Sequence, residues 1–185
     1  TTRHAGQWLL GGSIGPDGEK FFAGQLFPTP IVLKRWYVVV VSDVGFGDTS
    51  LGFKCSEYNS PRAIMDSGTT NMVLPMAVFN AFMAKLVPET MALIPNFDSN
   101  FFENPCCGAS YCDPTSSSSP LLRLPSISVT LAMQDESGTE KHFKVTIPPE
   151  YYFRPERNGN GVVCRVLGIV AGRSTVLGDV FMDGL

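Results

Sequence analysis

Charge is scarce in this chain. Only 17% of its 185 residues are Asp, Glu, Lys or Arg, and 14 basic against 17 acidic side chains leave a formal net charge of −3. The basic face that a nucleic-acid binder needs is therefore missing. Histidine is limited to His4 and His142, and there is no Cys-x2-Cys knuckle of the usual zinc-finger kind. No Asn-x-Ser/Thr sequon occurs, because Asn59-Ser60 runs into Pro61. Long apolar runs are absent as well. The longest, such as residues 36–41, fall far short of the roughly 20 residues that cross a bilayer. The glycines around residue 12 lack the Gly-Lys-[Ser/Thr] ending of a phosphate loop.

What is present is a folding composition. Hydrophobic residues make up 44%, too many for a disordered chain of such low charge. The 18 Gly and 14 Pro, set among many β-branched residues, indicate a turn-rich, mostly β protein. The length allows one domain with a sizeable core and is marginal for two. The chain starts at Thr1 without an initiator Met or a leader pattern, and it stops inside the apolar stretch 180–185. This predicts a piece of a longer polypeptide, whose targeting or membrane segments these residues do not report.

Five cysteines occur: Cys55, Cys106, Cys107, Cys112 and Cys164. One reading is a disulfide framework, which implies the secretory pathway or the cell exterior. The other is a zinc site that uses the 106–112 cluster with Cys164 or His142. Adjacent cysteines seldom bind one metal well, so the spacing favours disulfides.

The coarse pattern predicts a hairpin at the start, with strands at 7–12 and 21–26 around the Pro16-Asp17-Gly18 turn. Residues 36–44 read as a buried strand, 45–49 as a turn and 51–55 as a short strand. Residues 75–87 form the clearest helix. Pro75 suits its first position, Val78, Phe79, Phe82, Met83 and Leu86 make one apolar face, and Pro88 ends it. The Pro-, Ser- and Cys-rich residues 95–120 read as a variable surface loop. Strands follow at 127–133, 142–147, 151–153 and 162–166, with Ser137-Gly138 as a turn and a last apolar run at Val176-Leu177. This makes one helix and roughly ten strands, without βαβ alternation.

Asp66-Ser67-Gly68-Thr69-Thr70 carries the most chemistry. The hydroxyls and backbone around one carboxylate can hydrogen-bond it, orient it and keep its pKa low enough for it to ionise. Gly68 permits close approach of a ligand to the backbone. Such residues are also common in plain turns, so the flanks matter. Ile64-Met65 leads in, and Val73-Leu74-Pro75 and a helix follow, the setting of a buried catalytic turn. Gly11-Gly12-Ser13-Ile14-Gly15 matches the G-x-S-x-G elbow of serine hydrolases. That elbow needs a strand, a sharp turn and a helix. Here a turn and a second strand follow, which fits a glycine-rich hairpin better. His142, the sole downstream histidine, reads as a surface residue.

Taken together, these motifs resemble the C-terminal lobe of pepsin-like aspartic proteases over nearly the whole chain. Trp8-Leu9-Leu10-Gly11-Gly12 is similar to the strand that opens that lobe, and Phe22-Ala23-Gly24 to the Y-x-G after it. Trp36-Tyr37-Val38-Val39 resembles its W-x-V strand, and residues 63–70 its second active-site loop, A-I-V-D-[ST]-G-T-[ST]. Leu124-Pro125-Ser126-Ile127, the 148–152 stretch and residues 175–182 match further motifs in order. Within the family, Cys55-Ser56-Glu57-Tyr58-Asn59 and residues 66–75 are most similar to the β-secretase group, with Val73 where that group carries Arg.

The resemblance implies a mostly β lobe of a bilobal fold with one or two short helices, filling residues 1–185. It implies an aspartic endopeptidase acting on protein or peptide substrates in the secretory pathway, secreted or membrane-anchored, without metal or other cofactor. Asp66 would be one of two catalytic carboxylates, the other coming from the N-terminal lobe of the same polypeptide. Ser67 would carry inter-lobe hydrogen bonds, Gly68 and Thr69 would hold the substrate or the Asp, and Thr70 and Asn71 would line the cleft. Cysteines at the places of Cys112 and Cys164 join in that family, with Cys55 pairing beyond Leu185. Cys106 or Cys107 remains a substitute for Cys112. A non-catalytic pepsin-like binding or inhibitor protein is the rival reading, separated only by the first lobe's Asp loop.

Overall fold

A computed structural model of the chain describes residues 27–33, 35–103, 110–112, 119–134 and 138–183. The predicted hairpin at 7–26, Ser13, Cys106, Cys107 and Ser137 lie outside the described residues. In chain order the elements are β1 (Val38–Val39), β2 (Val41–Phe46), β3 (Thr49–Ser50), α1 (Cys55–Tyr58), β4 (Ala63–Met65), β5 (Met72–Pro75), α2 (Met76–Leu93), β6 (Tyr111–Cys112), β7 (Ile127–Gln134) and β8 (Glu140–Ile147). Then come α3 (Pro149–Tyr152), β9 (Phe153–Arg157), β10 (Val163–Leu167), β11 (Ile169–Gly172), β12 (Thr175–Leu177) and α4 (Asp179–Met182). Strands dominate, as the composition predicts.

Three sheets result. The first is antiparallel with the order β3-β2-β7-β8. In β7, Ile127, Val129 and Leu131 are buried, and in β8 buried Val145 and Ile147 alternate with exposed Lys144 and Thr146. Period-2 alternation points these side chains at the core. The second sheet has the order β1-β4-β12-β5-β11 and mixes parallel with antiparallel pairs. The third, β6-β10-β9, sets Cys112 directly opposite Cys164. The two form a disulfide with Cα atoms 4.2 Å apart. The bridged residues are 52 apart in sequence, and closing such a loop is worth about 4 kcal/mol in the chain-entropy account.

Helix α2 packs Val78, Phe79, Phe82, Leu86 and Thr90 into the core. It does not stop at Pro88, as the sequence predicts, but runs through it to Leu93. A helical proline removes one backbone bond, here to the Ala84 carbonyl, and costs about 3 kcal/mol. Pro88 and Ala84 are exposed, so that carbonyl is open to solvent rather than buried. Buried Thr90, bonded to the Leu86 carbonyl at 2.8 Å, and Met91, Leu93 and Ile94 against the core hold the last turn.

Other predicted elements are redrawn too. Trp36 and Tyr37 are 50% and 68% exposed and precede the first strand. The chain folds back there, with the Val32 N–H donating to the Val38 carbonyl at 2.9 Å, so they occupy a turn. Residues 51–55 are not a strand. Gly52 has φ +77°, which breaks extended backbone, and Cys55 opens α1. Residues 151–152 belong to α3, started by Pro149 at its first turn, and the strand begins at Phe153. The stretch from 95 onward is not wholly a surface loop. Phe97 and Phe101 are buried, with ring centroids 5.3 Å apart, and Ser99–Phe102 is a 3-10 turn.

The short helix α1 explains the Cys55–Asn59 pattern physically. The Asn59 amide substitutes for a missing strand: its Nδ2 donates to the Val41 carbonyl at 2.6 Å, and its Oδ1 accepts the Val41 N–H at 3.0 Å. Fully buried Tyr58 donates its hydroxyl to Asp43, and burial pushes its pKa up. The buried Thr175 hydroxyl donates to the Tyr58 carbonyl at 2.6 Å, tying α1 to β12.

Candidate active site

Strand β12 runs parallel to β4 and antiparallel to β5, and it lies between them. The two strands that are consecutive in sequence are therefore not neighbours, and residues 66–71 cross over the end of β12. At about 4.8 Å per strand, that connection spans about 10 Å. Five backbone hydrogen bonds fix it. The Asp66 N–H donates to the Leu177 carbonyl (3.0 Å), and the Thr69 N–H to the Asp66 carbonyl (3.1 Å). From below, the Asp179 N–H donates to the Thr69 carbonyl (2.9 Å) and the Val180 N–H to the Thr70 carbonyl (3.1 Å). The Met72 N–H donates to the Gly168 carbonyl (2.9 Å) as the chain enters β5.

Gly178 makes this approach sterically feasible. A Cβ there would overlap the Thr69 carbonyl oxygen and stand 2.5 Å from that of Asn71. The sequence holds a signal for this in Leu177-Gly178-Asp179, a glycine directly after an apolar strand. Its supporting role beneath the loop is not evident from the sequence.

The Asp66 carboxylate stands at the head of β4, partly exposed. Its Oδ2 accepts the Thr69 hydroxyl at 2.7 Å, and its Oδ1 accepts the Gly68 N–H at 3.0 Å. The Thr69 hydroxyl first and the Gly68 N–H second hold its pKa below the ordinary value, against a smaller opposing effect of burial. Hydrogen bonds to the charged form act in that direction. The site thus presents an oriented carboxylate that its hydrogen bonds keep ionised. Gly68 and Thr69 are brought onto the carboxylate. Ser67 and Thr70 are exposed beside it, without a hydrogen-bonded side chain among the described residues. Asn71 is half-buried, and its Oδ1 has no partner among the described residues.

Tyr37 is a neighbour that pattern reading assigns to core. Its carbonyl accepts the Met65 N–H at 3.0 Å, while its side chain is exposed one strand away from Asp66. The Cys112–Cys164 bond takes both of these cysteines out of any zinc site, which leaves the cluster reading with Cys164 without two ligands and the one with His142 without Cys112. Cys55 is a free, exposed thiol. His142 is exposed on β8, as expected.

The family model described as eukaryotic aspartyl protease matches residues 1–185. The chain belongs to that family. A curated beta-secretase of Strongylocentrotus purpuratus is 29% identical over 178 residues, covering 93% of this chain and 32% of the relative. The chain thus spans about a third of the length of that curated relative.

Proposed function

We propose that the protein carrying this chain is an aspartic endopeptidase, that residues 1–185 are its C-terminal lobe, and that Asp66 is one of its two catalytic carboxylates. The observation that carries this reading is the Asp66 carboxylate, held by Gly68 and Thr69 and biased toward its anion. The N-terminal lobe of the same polypeptide supplies the second Asp. One carboxylate takes a proton from water as the water attacks the scissile carbonyl, and the other, protonated, donates to the carbonyl oxygen. Two carboxylates that close cannot both ionise easily, so they share one proton and titrate as a pair. Collapse of the tetrahedral intermediate expels the amine, which takes a proton from the pair.

Substrates are proteins or peptides. Ser67, Thr70 and Asn71 lie where an extended peptide over Asp66 meets hydroxyl and amide groups. The Cys112–Cys164 disulfide supports an oxidising compartment, hence the secretory pathway, with the protein secreted or membrane-anchored. Among the described residues no helix is long and apolar enough to cross a membrane.

The test is Asp66→Asn in the full-length protein. Peptide hydrolysis at mildly acidic pH is expected to fall by about 10⁴-fold, with thermal unfolding little changed. Turnover close to that of the parent would refute the assignment. A full-length parent protein that binds peptides without cleaving them would point to the non-catalytic reading.

A further inference from the structure

The exposed turn between β9 and β10 contains two Asn-Gly pairs, Asn158-Gly159 and Asn160-Gly161. They are chemically unequal. The Asn158 side-chain oxygen Oδ1 accepts two backbone N–H groups, from Asn160 and from Val162, each at 3.0 Å. Backbone bonds also close the turn: the Asn158 N–H donates to the Val162 carbonyl (3.0 Å) and the Gly161 N–H to the Asn158 carbonyl (2.9 Å). Arg157 donates to the Gly161 carbonyl at 3.0 Å, which brings a cation into the same turn. The Gly159 N–H makes no hydrogen bond among the described residues, and its surroundings are open, with nothing within 4 Å of an added Cβ.

We propose that Asn158 is a self-modifying residue, whose side-chain amide is activated by its own turn for attack by the Gly159 nitrogen. Hydroxide removes the free Gly159 amide proton, and that nitrogen bonds to Asn158 Cγ. The electron pair of the C=O moves onto Oδ1, where the Asn160 and Val162 N–H groups already point. Donors fixed in advance on a developing oxyanion are how acyl-transfer sites stabilise such intermediates. Collapse breaks the Cγ–Nδ2 bond, and the nitrogen leaves as ammonia with a proton from water. Water then opens the cyclic imide at either carbonyl, giving aspartate or isoaspartate. The net change is one water consumed and one ammonia released.

Asn160 lacks both advantages. Its attacking nitrogen, that of Gly161, is already committed to the Asn158 carbonyl, and no donor is placed on its side-chain oxygen among the described residues. The product at 158 carries a new negative charge beside Arg157. Isoaspartate also adds a methylene to the main chain, which disrupts the pair with Val162 at the mouth of the hairpin that carries Cys164.

The experiment is peptide mapping with isoaspartate detection on the intact protein, incubated at mildly alkaline pH, folded and in concentrated urea. Conversion at Asn158 ahead of Asn160 is expected. It should run about tenfold faster in the folded protein than in urea, a modest share of the effect of preorganised oxyanion donors. Gly159→Ala fits the open backbone and should suppress the conversion by hindering the nitrogen, while Asn160→Ala should leave it intact. Modification of Asn160 first, equal rates in urea, or an unchanged rate in Gly159→Ala would each overturn the proposal.

Discussion

In the four-stranded sheet β7 faces β8 over eight consecutive residue pairs, from Ile127↔Ile147 to Gln134↔Glu140. In the five-stranded sheet that bears Asp66 no strand pair exceeds four, and β12 meets β5 at the single pair Val176↔Val73. The long ladder specifies itself. A one-residue slip of β8 would turn Val145 and Ile147 to water and bring Lys144 and Thr146 into the core. The short ladders cannot do this, and their register rests on the 66–71 crossing, on carbonyls that accept from α4, and on a glycine with no room to spare. Regular structure tolerates error in the first sheet, whereas in the second a few backbone contacts hold the arrangement.

Three substitutions probe this difference. The largest effect is expected from Gly178→Ala. The added methyl meets main-chain carbonyls of Thr69 and Asn71, which cannot turn away. A loss of about 4 kcal/mol in urea unfolding is expected, at the severe end for single substitutions. A loss under about 1 kcal/mol, within the range of well-tolerated changes, would break the comparison.

The matching change in the four-stranded sheet is Gly45→Ala, whose nearest obstacle is the Ser128 hydroxyl at 2.6 Å. That is the end of a side chain, so about 1–2 kcal/mol should be lost. Most of it should return in the double variant with Ser128→Ala. Failure of that rescue in thermal melts would mean that the backbone there is as unforgiving as beneath Asp66.

Thr69→Val has the smallest effect on folding and sharpens the site instead. It removes the 2.7 Å bond to the carboxylate. The Asp66 pKa should then move up toward the ordinary value, about 3.9. In the parent the folded-state pKa is depressed. The linked stability is therefore present above the unfolded value and lost as pH falls through the folded one. The variant should show a shallower loss across that interval. A carboxyl titration followed by NMR that gives the same pKa in both proteins would contradict the role given to Thr69.

These contrasts also explain what could be read from the sequence. Strands β7 and β8 and the buried face of α2 were legible because alternation and helical spacing persist over many residues. Asp66 was legible because its loop is a compact run of hydroxyls and glycine between apolar flanks. The threading of β12 was not, since Thr175-Val176-Leu177 has three residues and its partners lie far away in the chain. Pro88 misled because a local breaking tendency lost to the tertiary packing of Thr90, Met91 and Leu93. Trp36 and Tyr37 misled because aromatic residues beside a valine run look like core, although the fold-back at Val32 leaves them in a turn. The Phe97–Phe101 pair was hidden in a stretch whose prolines and serines indicated surface.

The insertion of β12 between β4 and β5 also sets a schedule for biosynthesis. Ile64 pairs with Val176, so the strand that completes the Asp66 platform emerges from the ribosome long after the loop it supports. Until then the carbonyls of Leu177 and Gly168 and the N–H groups of Asp179 and Val180 have not been made. A partial product, or a chain cut short before residue 180, carries the Asp-Ser-Gly-Thr sequence without the platform that positions it. Non-local closure of this kind is slow, and it leaves an immature chain without an ordered Asp66 loop.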